Sequence, residues 1–538
     1  MSRLVLVDGY IDEPASLGVP PYSSPQIRAA FGAAKDAGAE VTLLTIDDIR
    51  RGVKLPGCDV LVVLSGCAVP GRYLRGMPAS EREISELAEK SDASVRILGG
   101  PAAFEANDHL KARFDLVADV DAAVATYETV RGLKPSGRWR TLVQWNRWML
   151  LGADSVLAHP DFPQPLIAEL ETYRGCVRYR SGGCSFCIEP LKGKPSYRQP
   201  EDVVAEARRL HQLGVRNFRV GAQTCIVSYL AKDEGTETPI PNPDAIDRLL
   251  RGISSLGVDV LHLDNANPAV IAEHPEEARL ALQSMVRHCT SGNVLALGLE
   301  SADPAVKRAN NLNASAEQTL EAVRLINAVG RERGPSGLPQ LLPGVNFIVG
   351  LDGETPASLE MDLEFLRQVR RERLLLRRIN IRQVMPVRRT FESGVSHSQF
   401  LRFKQSVREE IDSPMLRDLV PLGTMLTRVF TEMHEGKHSF GRQIGTYPLL
   451  IGFAYPVALN RFVDVKVVGW GFRSITAVEY PLHINSCPIA ALESLPGIGN
   501  KRAVRLFRKR PYRSLDEVRK ALDEPKIAKE IAGFIDFG

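Results

Sequence analysis

Along the first 130 residues, short apolar runs alternate with stretches of helical spacing. Leu4–Asp8 is one such run. Pro25–Ala37 repeats its apolar residues at helical intervals, and Val41–Ile46, Val60–Leu64 and Val95–Leu98 are rich in β-branched residues. Strands separated by helices predict a parallel sheet, so residues 1–130 read as a Rossmann-like domain. Residues 131–165 carry Trp139, Trp145 and Trp148 among several prolines and read as a packed linker. The strand–helix rhythm resumes over 166–395. Strands are predicted at Asn217–Val220, Val258–Leu263, Val294–Leu297, Val345–Val349 and Ile379–Val384, with helices such as Pro200–Leu213, Ser315–Val329 and Pro356–Val369 between them. Residues 396–430 read as helical. Residues 440–485 switch to a β pattern punctuated by Gly and Pro, so 396–485 is predicted to be a helical segment plus a small β module. The stretch 486–538 is helical, with 11 Lys and Arg against 7 Asp and Glu.

Composition narrows this picture only in places. A chain of 538 residues is too long for one core and predicts several domains. The formal net charge of +4 excludes a generally basic nucleic-acid coat, though not a local basic patch. The amino-terminal residues MSRLVLVDGY have no signal-peptide pattern, and no apolar run is long enough to span a bilayer. Eight cysteines are sparse for this length. They fit a reduced cytoplasm with a few specialised thiols better than a disulfide framework.

Three of those cysteines stand together. Residues 173–190 read YRGCVRYRSGGCSFCIEP, which puts Cys176, Cys184 and Cys187 on one Gly-rich loop. Thiolates are soft ligands suited to iron–sulfur clusters or zinc. A structural zinc site closes with four ligands, whereas three thiols leave one iron of a [4Fe–4S] cluster open. The segment resembles the signature loop of the radical S-adenosylmethionine (SAM) superfamily, in which three cysteines are usually spaced x3 and x2 and an aromatic residue, here Phe186, precedes the last. The first gap departs from this pattern: it holds seven residues, 177–183, and is expected to bulge outward from Arg178 to Gly183.

The residues that follow resemble the methylthiotransferase branch of that superfamily. The resemblance runs through GCSFCIEPLKGKPSYRQPEDVVAEARRLHQLGVRNFRVGAQTCIVSY and implies a partial (β/α)6 barrel over 166–395. In it Arg198 matches a basic residue near the cluster. Gly221, Ala222 and Gln223 match the turn that receives the SAM amino group, with Gln where the superfamily has Glu. ALGLESADPAVKR (296–308) is similar to the fourth strand, with Glu300 and Ser301 placed for the SAM ribose or carboxylate. GVNFIVGLDGET (344–355) is similar to the fifth, where Val349 belongs to apolar backbone flanking adenine. The cofactors implied are a [4Fe–4S] cluster and SAM, and the chemistry is reductive SAM cleavage to a 5′-deoxyadenosyl radical. A ferredoxin- or flavodoxin-type electron donor is implied with them. Cys225 and Cys289 read as ordinary small buried residues.

Two resemblances compete in the amino-terminal domain. Residues 19–47 are similar to cobalamin-binding domains fused to other radical SAM enzymes, although no Asp-x-His-x-x-Gly motif supplies a ligand for cobalamin. CDVLVVLSGCAVP (58–70) resembles the methylthiotransferase amino-terminal domain, which normally carries three cysteines for a second cluster. Cys67 matches the middle one, while Tyr10 and Gly100 stand at the other two positions. A Rossmann-like domain that only shapes the substrate entrance is the third reading.

At the other end, 440–482 is similar to a TRAM-type small β-barrel, and LESLPGIGNKRAVRLFRKRPYRSLDEVRKAL (492–522) resembles a helix–hairpin–helix motif. Gly497 and Gly499 would let the backbone approach a phosphate, with Lys501, Arg502 and Arg505 adding charge. The leading expectation is a cytoplasmic radical SAM enzyme that modifies a nucleic acid, tRNA before DNA. The alternatives are a radical SAM enzyme acting on a small molecule, with or without cobalamin, and a nucleic-acid-binding protein whose cluster is structural.

Overall fold

A computed structural model of the chain describes residues 2–11, 22–66, 76–233 and 235–538. Its contacts divide it into two compact units. One comprises Met1–Cys289, Asn310–Asn313 and Val384–Phe391; the other comprises Thr290–Ala309, Ala314–Gln383 and Glu392–Gly538.

The first unit opens with β1 (Arg3–Gly9), the two-residue β2 (Tyr22–Ser23), β3 (Glu40–Thr45), β4 (Val60–Ser65), β5 (Val95–Gly99) and β6 (Leu116–Ala118). Five of these form a parallel sheet in the order β3-β1-β4-β5-β6. All six residues of β4 are buried, as expected of a strand covered on both faces. The order reverses at β1, so the crevice at the carboxyl ends of β1 and β4 is the place where such a fold receives a ligand. The stretch 131–165 contributes the helix Leu142–Gly152, whose Trp145 and Trp148 are fully buried in the same apolar core as β1 and β4. That helix lies against Pro25–Asp36 with backbones nearly touching: a Cβ on Gly32 would sit 1.9 Å from the Trp148 carbonyl oxygen.

The same unit continues with β7 (Ile167–Glu171), β8 (Tyr173–Arg174), β9 (Ser196–Tyr197), β10 (Asn217–Gly221) and β11 (Val260–Leu263). A second parallel sheet runs β11-β10-β7-β2, so β2 belongs with these strands and not with its sequence neighbours. A fully buried ionic node ties the two sheets. Arg28 reaches Glu206 at 2.8 Å, and Glu206 also holds Arg198 at 2.6 Å. The helix Pro200–Leu213 begins as its Pro predicts, because a Pro at the first helical position forfeits no bond.

The second unit holds β12 (Asn293–Glu300), β13 (Leu341–Val349) and β14 (Ile379–Gln383) in a parallel sheet. It then holds a closed barrel of β15 (Met425–Glu435), β16 (His438–Gln443), β17 (Leu450–Phe453), β18 (Phe462–Trp470) and β19 (Ser474–Glu479). Around the barrel the order is β15-β16-β17-β19-β18, with β17 and β19 parallel and every other pair antiparallel. This corrects the expected boundary: β15 starts at Met425, inside the segment read as helical. Its alternation is broken by a register shift between Leu426 and Val429 and by Arg428 in the left-handed region, which hides a strand from a period-two reading. β20 (Leu482–His483) and β21 (Ile535–Asp536) close the tail around four short helices. Barrel residues such as Val465 and Ile475 share one apolar core with Ala491, Leu506, Val518 and Ile531 of the tail.

Candidate active site

The cysteine loop is closed at its base by the antiparallel pair β8·β9, in which Tyr173 faces Tyr197 and Arg174 faces Ser196. Gly183 holds a backbone φ of +59°, and a Cβ there would lie 2.4 Å from Pro190, so the turn into Cys184 demands glycine. Cys187 N donates to the Cys184 carbonyl at 3.1 Å, placing half-buried Phe186 at the crest of a tight turn.

Remote residues hold the loop. Arg388 Nη1 donates to the carbonyl oxygens of Gly182, Cys184 and Cys187 at 2.7, 3.1 and 3.2 Å. Ser185 N donates to Asn310 O, and Ser185 Oγ to Asn310 Oδ1, both at 3.0 Å. Asn311 Nδ2 donates to Gly183 O at 2.9 Å. These partners explain why Asn310–Asn313 and Val384–Phe391 belong to the first unit although their sequence neighbours do not. The sequence reading missed them. The Asn-Asn pair, with Asn311 at a positive φ, and the basic run after β14 were the available signals.

The expected outward bulge is not what forms. Val177–Tyr179 makes a 3-10 turn that carries Val177 and Arg178 inward, and only Arg180 and Ser181 of this gap are exposed. Burying Arg178 against Asn311 and Glu237 satisfies its donors.

The turn after β10 meets this loop. Thr172 Oγ1 donates to Gln223 Oε1 at 3.3 Å, Thr224 Oγ1 to Gly175 O at 3.3 Å, and Cys225 N to Tyr173 Oη at 2.8 Å. Ala222 sits at φ +57°, a conformation that a residue with a Cβ adopts at a cost and that concentrates at functional sites. The Gln223 amide also donates to Val220 O at 3.1 Å, so its side chain is held by the protein on both sides. Gly221 has Glu169 Oε1 2.2 Å from where a Cβ would lie. Arg198 does not point to the thiols; it is committed to Glu206, Asn146 and the Glu171 carbonyl.

The donor set fits an iron–sulfur cluster. Three thiols share one clamped loop and form no disulfide. Among the described residues no three His, Cys, Asp or Glu stand close enough to hold a single metal ion, whereas a cubane spreads its thiolates over different irons and keeps their sulfurs farther apart. Burial pushes the Cys176 thiol up to about 11 and Cys187 up to about 12, so iron binding displaces protons from both near neutrality.

In the second unit, Glu300 ends β12 at φ +67°, just past a register shift at Gly298. Its Oε2 is shielded from solvent and has no partner, and burial raises the carboxyl to about 8 despite Arg382. An orphaned buried carboxyl at a bulged strand end fits a group that donates hydrogen bonds, as a ribose does. The half-buried positions of the neighbouring strands add Asn346 and Asn380, whose amides bond at 3.3 Å. Ser301 turns elsewhere: its hydroxyl donates to Asp362 Oδ1 at 3.3 Å and accepts from Asp303 N at 3.2 Å. Val349 is buried in β13.

Residues 170–366 match the model of the radical SAM superfamily. This match gives the chain a radical SAM domain, and the chain is an enzyme. An uncharacterized protein of Methanocaldococcus jannaschii is 42% identical over 88% of this chain and 93% of that relative. The ribosomal protein uS12 methylthiotransferase RimO of Pasteurella multocida is 26% identical over 53% of this chain and 63% of its own length. Among solved structures, the radical SAM methyltransferase TsrM of Kitasatospora setae covers 69% of this chain and 71% of its own at 14% identity, with a TM-score of 0.47. Such a domain implies a [4Fe–4S] cluster and SAM as cofactors. No helix among the described residues is long and apolar enough to cross a membrane.

The tail presents a separate candidate surface. The helices Ile489–Glu493 and Asn500–Arg508 flank a Pro-Gly-Ile-Gly turn. Gly497 adopts φ +70°, in the left-handed region that favours glycine, but Gly499 has an ordinary φ of −84° and nothing within 4 Å of a Cβ. Lys501 and Arg505 are exposed, while Arg502 is bound to Asp523, Glu524 and the Gly497 carbonyl.

Proposed function

We propose that this radical SAM enzyme modifies a nucleic acid, with tRNA the leading candidate, and that the carboxy-terminal turn binds the phosphate backbone as a helix–hairpin–helix. When bound, the cluster and SAM supply a one-electron reductive cleavage that yields a 5′-deoxyadenosyl radical. An electron donor of ferredoxin or flavodoxin type fits that need. The protein's own part is to clamp the turn of Cys184 and Cys187 through Arg388 and Asn310, to brace the Gly221–Gln223 turn against the loop, and to offer Glu300 as an acceptor.

The observation that carries the nucleic-acid reading is Gly499. Neither its backbone angle nor its packing requires glycine, and the space beside it is open. Gly499 caps the helix Asn500–Arg508, and its missing Cβ leaves room for another molecule to approach the backbone closely. Lys501 and Arg505 beside it supply charge. The five-stranded barrel shares a core with this tail, and small barrels of that kind bind oligonucleotides.

The test is Gly499→Ala. This substitution should cost at most about 1 kcal/mol of stability, since Ala caps a helix less well than Gly, and weaken retention of tRNA about tenfold, with the remaining binding falling steeply as salt rises. Deleting 486–538 is a poor test, because it would cut into the core of the barrel. Unchanged tRNA binding in Gly499→Ala would overturn the reading and favour a protein substrate, the class named for the methylthiotransferase relatives. Dithionite-reduced, cluster-loaded protein should convert SAM to methionine and 5′-deoxyadenosine.

A further inference from the structure

Seven residues, 177–183, separate the first two cysteines, and the structure spends them on an inward turn. We propose that this long gap installs a guanidinium donor at the Cys184 sulfur, and that Arg178 thereby sets the potential at which the cluster accepts its electron. The inference rests on the three-cysteine cluster assignment.

Arg178 Nη1 lies 3.3 Å from Cys184 Sγ, in hydrogen-bonding geometry. The same nitrogen donates to Asn311 O at 2.8 Å, and Nη2 donates to Asn311 Oδ1 at 3.0 Å. Nε is bonded to Glu237. Three sides of the guanidinium are thus fixed by the protein, and the contact with sulfur is the remaining one. The Arg178 side chain is only 6% exposed, while Glu237 is 45% exposed. Water therefore screens the carboxylate more than the cation, so the ion pair does not fully cancel the guanidinium's charge at the sulfur.

A cluster held by Cys184 gains one negative charge on reduction, much of it on sulfur. A buried N–H donor and a positive charge at that sulfur stabilise the reduced form more than the oxidised one, so Arg178 raises the potential. Hydrogen bonds to the sulfurs are among the factors known to set such potentials. Lysine cannot reproduce the arrangement, because one ammonium does not span Asn311 and Cys184 as a planar fork does. Arg178 is a positioning residue in this scheme. It touches a ligand of the cluster and no reacting atom.

The experiment is potentiometric titration of the reconstituted protein, followed by the electron paramagnetic resonance of the reduced cluster. Arg178→Met should load iron like the wild type and show a midpoint about 59 mV more negative, which is a tenfold lower reduced fraction at a fixed potential for a one-electron couple. Arg178→Lys should fall between the two. A Met variant with full iron and an unchanged midpoint overturns the proposal. If the Met variant loads no iron, the Lys variant decides: a lowered midpoint supports the proposal and a wild-type midpoint overturns it. If neither variant holds iron, Arg178 is only a folding element of the loop and the proposal falls. Failure of the wild type to form any cluster would instead overturn the cysteine assignment on which this inference rests.

Discussion

Two regions of the first unit present the same kind of edge and differ in what they put there. The cysteine loop follows β7, and the crevice of the amino-terminal sheet lies at the carboxyl ends of β1, β4 and β5. At the loop, the chain gathers three thiols and fixes them with Arg388, Asn310 and Asn311 from distant segments. At the crevice, two of the positions where a methylthiotransferase-like domain would carry cysteines, 10 and 100, meet the end of β4. Gly66 N donates to Tyr10 O at 3.1 Å, and a Cβ on Gly100 would lie 2.7 Å from Ser65 O. Yet two of those positions hold Tyr10 and Gly100, and Cys67 lies outside the described residues. The Tyr10 hydroxyl bonds Asp47 at 2.9 Å, and Asp8 accepts from Tyr10 N at 2.8 Å. Parallel α/β topology supplies the place for a ligand, and side-chain chemistry decides whether one is held.

The largest effect should come from removing a thiol at the loop. Cys184→Ala or Cys187→Ala is expected to abolish the [4Fe–4S] absorbance and nearly all bound iron after anaerobic reconstitution. Spectra unchanged in both variants would erase the contrast between the two regions.

Iron content tests the other side of the comparison. Fully reconstituted protein should approach the iron of one cubane per chain, and Cys67→Ala should leave it there, since one thiolate cannot hold a second cubane. A value near twice that, lost on Cys67→Ala, would make the two edges alike and point instead to sulfur insertion of the methylthiotransferase type.

The clamp gives a smaller effect. Arg388→Ala removes a donor shared by three loop carbonyls and should lower cluster occupancy severalfold at limiting iron, while secondary structure stays intact by circular dichroism. Tyr10→Phe, at the other edge, should cost about 1 kcal/mol of stability and change iron loading not at all. Equal iron loading in the two variants would show that the loop is preformed without Arg388.

The smallest effect is a pH dependence at the crevice. Burial raises Asp8 from 3.8 to about 7. Between those values the folded state binds the proton and the unfolded state does not, so stability falls as pH rises through this window and is fully present only below it. Denaturant midpoints of the metal-free protein at pH 4 and pH 8 should differ less in Asp8→Asn than in the wild type. Parallel profiles would mean that Asp8 is as solvated folded as unfolded.

Much of this was legible along the chain. The triad Cys176, Cys184 and Cys187, the Gly-Ala-Gln turn and the helix Pro200–Leu213 were readable because each is local: a spacing, a turn composition, a period with its starting Pro. The five-stranded barrel was only partly legible, because the register shift in β15 removes the alternation that reveals a strand. The inward course of 177–183 was not legible at all. Arg178 turns in because Asn311 waits for it, and nothing near residue 178 in sequence reports residue 311.

The sequence by itself determined which chemistry is available: three soft ligands on one loop, a carboxyl at a strand end, a turn that favours glycine at Gly497. Those properties belong to residue types and to spacings of a few positions. The tertiary structure alone decided what holds them. Arg388 reaches the cysteine loop, β2 joins a sheet away from its neighbours, Arg198 is drawn into a buried ion pair with Glu206, and Glu300 Oε2 is left without a partner. Each of these depends on which distant segments meet. That is fixed by the burial of whole strands and helices and by the need to pair every buried polar group, not by any local pattern.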